Sequence, residues 1–153
     1  VKINFIEKLI GSGLYTGYSK FASGTAASAV ACLFYLIPGF ENPVLLMGVI
    51  SVLFILGVGI GTKFESIYGK DPKECTVDEF VGTWISLLFV PKKIWFLLLS
   101  FIIWRALDII KPYPFNKLEK IKGGWGIMLD DAALGFIALI LNHILINLLK
   151  TIL

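Results

Sequence analysis

Two adjacent acidic pairs stand where carboxylates are costly. Asp78-Glu79 immediately precedes an apolar run, and Asp130-Asp131 stands at the start of another. Carboxylates crowd together only where something positive joins them. Oxygen ligands without thiolate or imidazole suit Mg²⁺, and Mg²⁺ in turn points to phosphate. Asp78, Glu79, Asp130 and Asp131 therefore read as a metal site, provided the pairs meet in space. A third cluster, "WRALDIIKPYPF" (104–115), sets Arg105 and Asp108 three residues apart on one helix face, with Lys111 close behind. Arg105 and Lys111 suit a phosphate beside the metal, with Asp108 as orienting group or further ligand.

Each feature also has an ordinary structural explanation. A single Asp at a helix amino terminus is a cap that complements the macrodipole, but one cap suffices. Thr76 and Glu79 have capping-box spacing, which explains Glu79 better than Asp78. Gly82, one turn after Asp78, would leave room beside that carboxylate. Arg105 and Asp108 fit a plain salt bridge where a helix leaves the membrane. In "TGYSKFASGTAAS" (16–28), Ser23, Gly24 and Thr25 put backbone N–H groups at a helix start. Such a terminus is an anion site or a simple cap. His143, beside Asn142 and near Asn147, reads as an interhelical hydrogen-bonding group far from the acids. As the only histidine, it argues against His-dependent hydrolysis. Cys32 reads as a small core residue and Cys75 has no assigned role; their spacing suggests neither a redox pair nor a disulfide framework.

The elements that must position these groups follow from composition. The 153-residue chain is 57% hydrophobic and only 16% charged. Soluble domains carry about 25% charged residues, so a membrane protein of one domain, 1–153, is expected. The net charge of +3, without a basic run interleaved with aromatics, argues against nucleic acid. No cleavable signal peptide is expected, since Lys2, Glu7, Lys8 and Lys20 interrupt the first 20 residues.

Uncharged stretches at 21–40, 42–62 and 132–149 are membrane-helix candidates, with Pro38 and Gly39 ending the first near Ile37. Two shorter runs, 80–91 and 94–104, would each rise about 16–18 Å. They either form a re-entrant hairpin tipped by Lys92 and Lys93 or are lengthened by their flanks. The charged segments 1–20, 63–79 and 105–131 belong inside by the positive-inside rule, although Lys150 counts against it. The expected fold is all-α. It is a small integral membrane bundle of about three to five membrane helices, with a polar site at their cytosolic ends.

Three stretches together resemble the phosphatidylglycerophosphatase A family: "GYSKFASGTAAS" (17–28), "TVDEFVGTWISLL" (76–88) and "RALDIIKPYPFNKLEKIKGGWGIMLDDAALGFIA" (105–138). The likeness covers most of the chain in the same motif order. The resemblance implies a multi-pass enzyme of the bacterial inner membrane with its site facing the cytoplasm. It implies a Mg²⁺-dependent phosphatase that converts phosphatidylglycerophosphate to phosphatidylglycerol and phosphate. The family's Asp-Glu pair and following glycine fall on Asp78, Glu79 and Gly82. Its Arg, Asp and Lys-Pro stretch falls on Arg105, Asp108, Lys111 and Pro112. Its Gly-Gly and Asp-Asp element falls on Gly123, Gly124, Asp130 and Asp131. Its Pro-Gly-Thr element falls on Ser23, Gly24 and Thr25, with Ser in place of Pro, and Lys20 stands where a Pro is often seen.

The implied roles are catalytic for Asp78, Glu79, Asp108, Asp130 and Asp131, and substrate-binding for Thr25, Arg105 and Lys111. Direct attack by water is preferred over an aspartyl-phosphate route, because neither a DxDx[TV] motif nor a Cys-x5-Arg pattern occurs. Three other readings compete. A cation carrier would place its acids mid-helix. A structural membrane protein would use them only as caps. Another lipid phosphatase would share the site and differ in head-group pocket.

Overall fold

The structure is a computed structural model and describes residues 1–152. Those residues are all-helical, with no strand. α1 (Phe5–Gly11) opens with a capping box between Asn4 and Glu7 and lies beside the third helix, where Lys63 pairs with Glu7. α2 (Ser23–Tyr35), α3 (Pro43–Tyr68), α4 (Val77–Leu87), α5 (Ile94–Ile110) and α6 (Gly124–Ile152) form the bundle. Asn42 caps α3, and Pro43 at its first position supplies a preset φ.

α4 is the axle of the bundle. All eleven of its residues are buried, and α2, α3, α5 and α6 pack around it. At 1.5 Å per residue it is about 16 Å long, too short to cross a bilayer. The two alternatives for 80–104, a re-entrant hairpin or helices lengthened by their flanks, meet a mixed outcome: α4 stays short, whereas α5 runs past Trp104 to Ile110. α4 packs much more extensively on α6 than on α5. Small residues make that crossing close. A Cβ on Gly135 would sit 2.8 Å from the Gly82 carbonyl oxygen, and one on Gly82 would strike the Trp104 indole. The space expected beside Asp78 at Gly82 is therefore taken by Trp104.

Successive helices of the bundle run in opposite directions. Tyr35 Oη at the end of α2 donates to the Val90 carbonyl just beyond α4, 2.7 Å away. Lys92 pairs with Glu41 and donates to the Ile37 carbonyl, joining the two turns at that end. Asn142 donates to the Ser86 carbonyl, and His143 hydrogen-bonds the Leu88 carbonyl, both far from the acidic residues. The starts of α2, α4 and α6 and the ends of α3 and α5 consequently share the opposite end. α3 and α6 are long and apolar enough to cross a membrane. Their outward faces are bare apolar side chains, among them Val44, Val52, Ile55, Phe136, Ile140 and Ile144. Trp84 and Trp104 are buried, donating to the Ala31 carbonyl and to Ser28 Oγ.

Candidate active site

At the shared end lies a polar cavity of about 220 Å³. Its wall is built from Ser23 and Gly24 at the start of α2, the 71–76 loop, Asp78 and Glu79 at the start of α4, Asp108 and Lys111 at the end of α5, and Asp131 on α6. Glu79, Asp108 and Asp131 each offer a carboxylate oxygen, and the three oxygens lie within 4.8 Å of one another. Asp78 Oδ1 and Asp131 Oδ2 are buried without a hydrogen-bond partner among the described residues.

Asp78 and Glu79 occupy the first turn of α4, where exposed backbone N–H groups favour negative charge. The expected capping box is not made: Thr76 makes no side-chain cap, and its hydroxyl meets that of Thr16 at 3.1 Å. Glu79 instead accepts from Arg105 Nη1 at 2.6 Å and from Ser28 Oγ at 3.1 Å. Arg105 Nη1 also donates to Asp108 Oδ2 at 2.8 Å, so one guanidinium fixes carboxylates from two helices. The wall is tight here, because a Cβ on Gly24 would fall on the Glu79 carboxylate. Ser23, Gly24 and Thr25 are the first residues of α2, so their N–H groups have no acceptor one turn back. Thr25 itself is half-buried, and its side chain is not on the cavity wall.

Asp130 and Asp131 do not begin their helix. α6 starts at Gly124, because Gly124 packs against the Val58 backbone and its N–H donates to Thr62 Oγ1 at 2.8 Å. The aspartates therefore lie about two turns inside α6, both buried, where capping cannot account for them. They diverge by the 100° step of the helix. Asp131 faces the cavity, whereas Asp130 Oδ2 accepts from Lys111 Nζ at 2.7 Å. Burial acts against the charged form of Lys111, but the neighbouring Asp130 outweighs it and holds the ammonium well above the usual lysine range.

Among the site residues named from sequence, Asp78, Glu79, Asp108, Lys111 and Asp131 share the cavity wall. Arg105 backs it, Asp130 anchors Lys111, and Thr25 contributes only by its place in the first turn of α2. Sequence reasoning missed Ser28 and Asp71. Ser28 bridges Glu79, Trp104 and Arg105, and its spacing of one turn from Gly24 could have marked it. Asp71 reaches the wall from a turn with φ of 47°, which no local pattern announces.

Five carboxylates on the wall, Asp71, Asp78, Glu79, Asp108 and Asp131, face three cations, Lys73, Arg105 and Lys111, and the imbalance calls for added positive charge. The donor set fits Mg²⁺. It is all oxygen, and its 4.8 Å spread is near the roughly 4 Å between opposite ligands of an ion bound at about 2.1 Å. With Lys111, Arg105 and free amides beside it, the cavity can hold a phosphate.

The comparisons with known proteins point to a phosphatase. The family model for phosphatidylglycerophosphatase A matches residues 9–146. A Bacteroides thetaiotaomicron protein, provisionally named a phosphatidylinositol-3-phosphatase, is 39% identical across 90% of this chain and 92% of its own length. Phosphatidylglycerophosphatase A of Escherichia coli is 32% identical across 85% of this chain and 77% of its own. That of Haemophilus influenzae is 36% identical across 59% and 57%. No solved structure gives a significant match. The chain is a phosphatase and belongs to the phosphatidylglycerophosphatase A family.

Proposed function

We propose that this phosphatase is Mg²⁺-dependent and hydrolyses phosphatidylglycerophosphate to phosphatidylglycerol and inorganic phosphate in phospholipid synthesis. The observation that carries the reading is the convergence of Glu79, Asp108 and Asp131 oxygens beside Lys111, at one end of an apolar bundle. The names of the Escherichia coli and Haemophilus influenzae relatives supply the head group.

Glu79, Asp108 and Asp131 would hold the metal, with Asp78 on the same wall. When bound, Mg²⁺ neutralises phosphate oxygens and makes water a better nucleophile. Arg105 keeps the Glu79 and Asp108 carboxylates in one orientation. Lys111, held by Asp130, offsets negative charge on the phosphoryl group as it transfers. The unpaired amides of Ser23, Gly24 and Thr25 receive phosphate oxygens. Water attack fits this arrangement, because the carboxylates nearest one another are spoken for as ligands.

The bundle would sit as a multi-pass protein in the bacterial inner membrane, the cavity on the cytoplasmic side. Bare apolar faces on α3 and α6 support the membrane, and the Lys-rich segments at the cavity end support the orientation. The lipid then keeps its tails in the bilayer while its phosphate enters the site.

The Bacteroides relative's name favours a second head group, inositol 3-phosphate. Phosphate release from phosphatidylglycerophosphate and from phosphatidylinositol 3-phosphate, measured side by side in detergent micelles, decides between them. A kcat/KM higher for the glycerol lipid supports the proposal; preference for the inositol lipid replaces it.

A further inference from the structure

An apolar groove of about 220 Å³ runs between α2 and α5 on the outside of the bundle. It is lined by Ala29, Cys32, Leu33 and Leu36 on one side and by Leu98 and Phe101 on the other. Its head adjoins residues that hold the site carboxylate Glu79. Ala29 directly follows Ser28, which donates to Glu79, and Phe101 lies one turn before Arg105, which pairs with Glu79. Ser28 and Arg105 approach each other across the head of the groove, with Nη1 to Oγ at 3.4 Å. From Ala29 to Leu36 the groove follows α2 for about 10 Å, within the roughly 15 Å depth of one leaflet.

We infer that this groove holds an acyl chain of the substrate lipid while its phosphate occupies the cavity. The inference rests on the lipid-phosphatase reading above and adds where the lipid lies. A larger groove of about 490 Å³ lies between α3 and α6, lined by Phe54, Leu118, Ala132, Ala133 and Phe136. It opens on the side of α6 away from Asp131, so a lipid seated there would have α6 itself between its tail and the cavity. Of these two grooves, only the α2–α5 groove has its head beside residues that touch Glu79, namely Ser28 and Arg105. Packing rather than water exclusion selects the chain, since the surrounding bilayer is equally apolar.

The test uses phosphatidylglycerophosphate carrying a diazirine midway along one acyl chain. It is photolysed on ice with the full-length protein in phosphatidylcholine micelles, with and without excess unlabelled substrate. Diazirine-labelled phosphatidylcholine gives the background. Label enriched over background at residues 29–36 and 94–101, and removed by competitor, is expected. Enrichment at 50–55 and 129–136, or a pattern equal to background, overturns the inference. Ala29→Phe should raise KM for the long-chain substrate about fivefold and leave a dihexanoyl analogue unchanged, whereas Ala133→Phe should alter neither. An Ala29→Phe effect equal for both chain lengths also overturns it. Wild-type turnover in the same micelles separates the two claims. Turnover without enrichment sinks the groove alone; no turnover sinks the lipid-phosphatase reading and the groove with it.

Discussion

Lys111 Nζ lies 2.7 Å from Asp130 Oδ2, which ties the carboxyl-terminal cap of α5 to the second turn of α6. Two neighbouring aspartates thus have separate duties. Asp130→Asn should loosen Lys111 and raise KM about tenfold, the scale of one charge-assisted hydrogen bond. The Mg²⁺ concentration at half-maximal activity should stay unchanged. Steady-state kinetics across a Mg²⁺ titration check this, and a large shift in Mg²⁺ requirement would make Asp130 a ligand.

Gly24 leaves no room for a side chain against Glu79. Gly24→Ala should displace that carboxylate and lower kcat/KM about a hundredfold, as small misplacements at reacting centres do. Thermal unfolding in detergent should be nearly unaltered, because the first turn of α2 lies on the cavity wall rather than in the apolar core. Full activity in Gly24→Ala would contradict the tight wall.

Gly82 and Gly135 make the α4–α6 crossing close. Gly135→Leu should therefore act on stability. A loss of about 1–3 kcal/mol is expected from overpacking, seen as a lower unfolding midpoint. An unchanged midpoint would mean that the crossing relaxes freely.

The two ends of the bundle should lie on opposite sides of the membrane. In a background lacking Cys32 and Cys75, Glu41→Cys and Lys70→Cys should react with an impermeant maleimide from opposite sides. Lys70→Cys should react only once the cytoplasmic side is opened. Labelling of both from one side would refute the orientation.

Much of this was legible in the sequence, and the exceptions have physical causes. The long charge-free runs gave α3 and the body of α6, because spans of that length without charge have few other homes. The start of α6 was misread, since the apolar pattern begins at Ala132 whereas Gly124 starts the helix by packing on Val58. Five acids that the fold brings to this end, Asp78, Glu79, Asp108, Asp130 and Asp131, were picked out because crowded carboxylates are costly anywhere. Their division of labour was not, because which of Asp130 and Asp131 faces the cavity depends on where α5 delivers Lys111. Thr76 and Glu79 looked like a capping box, but the Arg105 guanidinium competes more strongly for that carboxylate. Asp71 enters the site only through tertiary packing and no local spacing marks it, whereas Ser28 stands one turn after Gly24 and could have been read from that spacing.

The most direct test of the central claim is phosphate release from phosphatidylglycerophosphate by the purified chain and its Asp131→Asn variant, each with Mg²⁺ and with EDTA. The account predicts release only by the unaltered chain with Mg²⁺, and a fall of at least about a hundredfold in the variant. Release that persists in EDTA, or an Asp131→Asn variant as active as the parent, would contradict a metal held by these carboxylates.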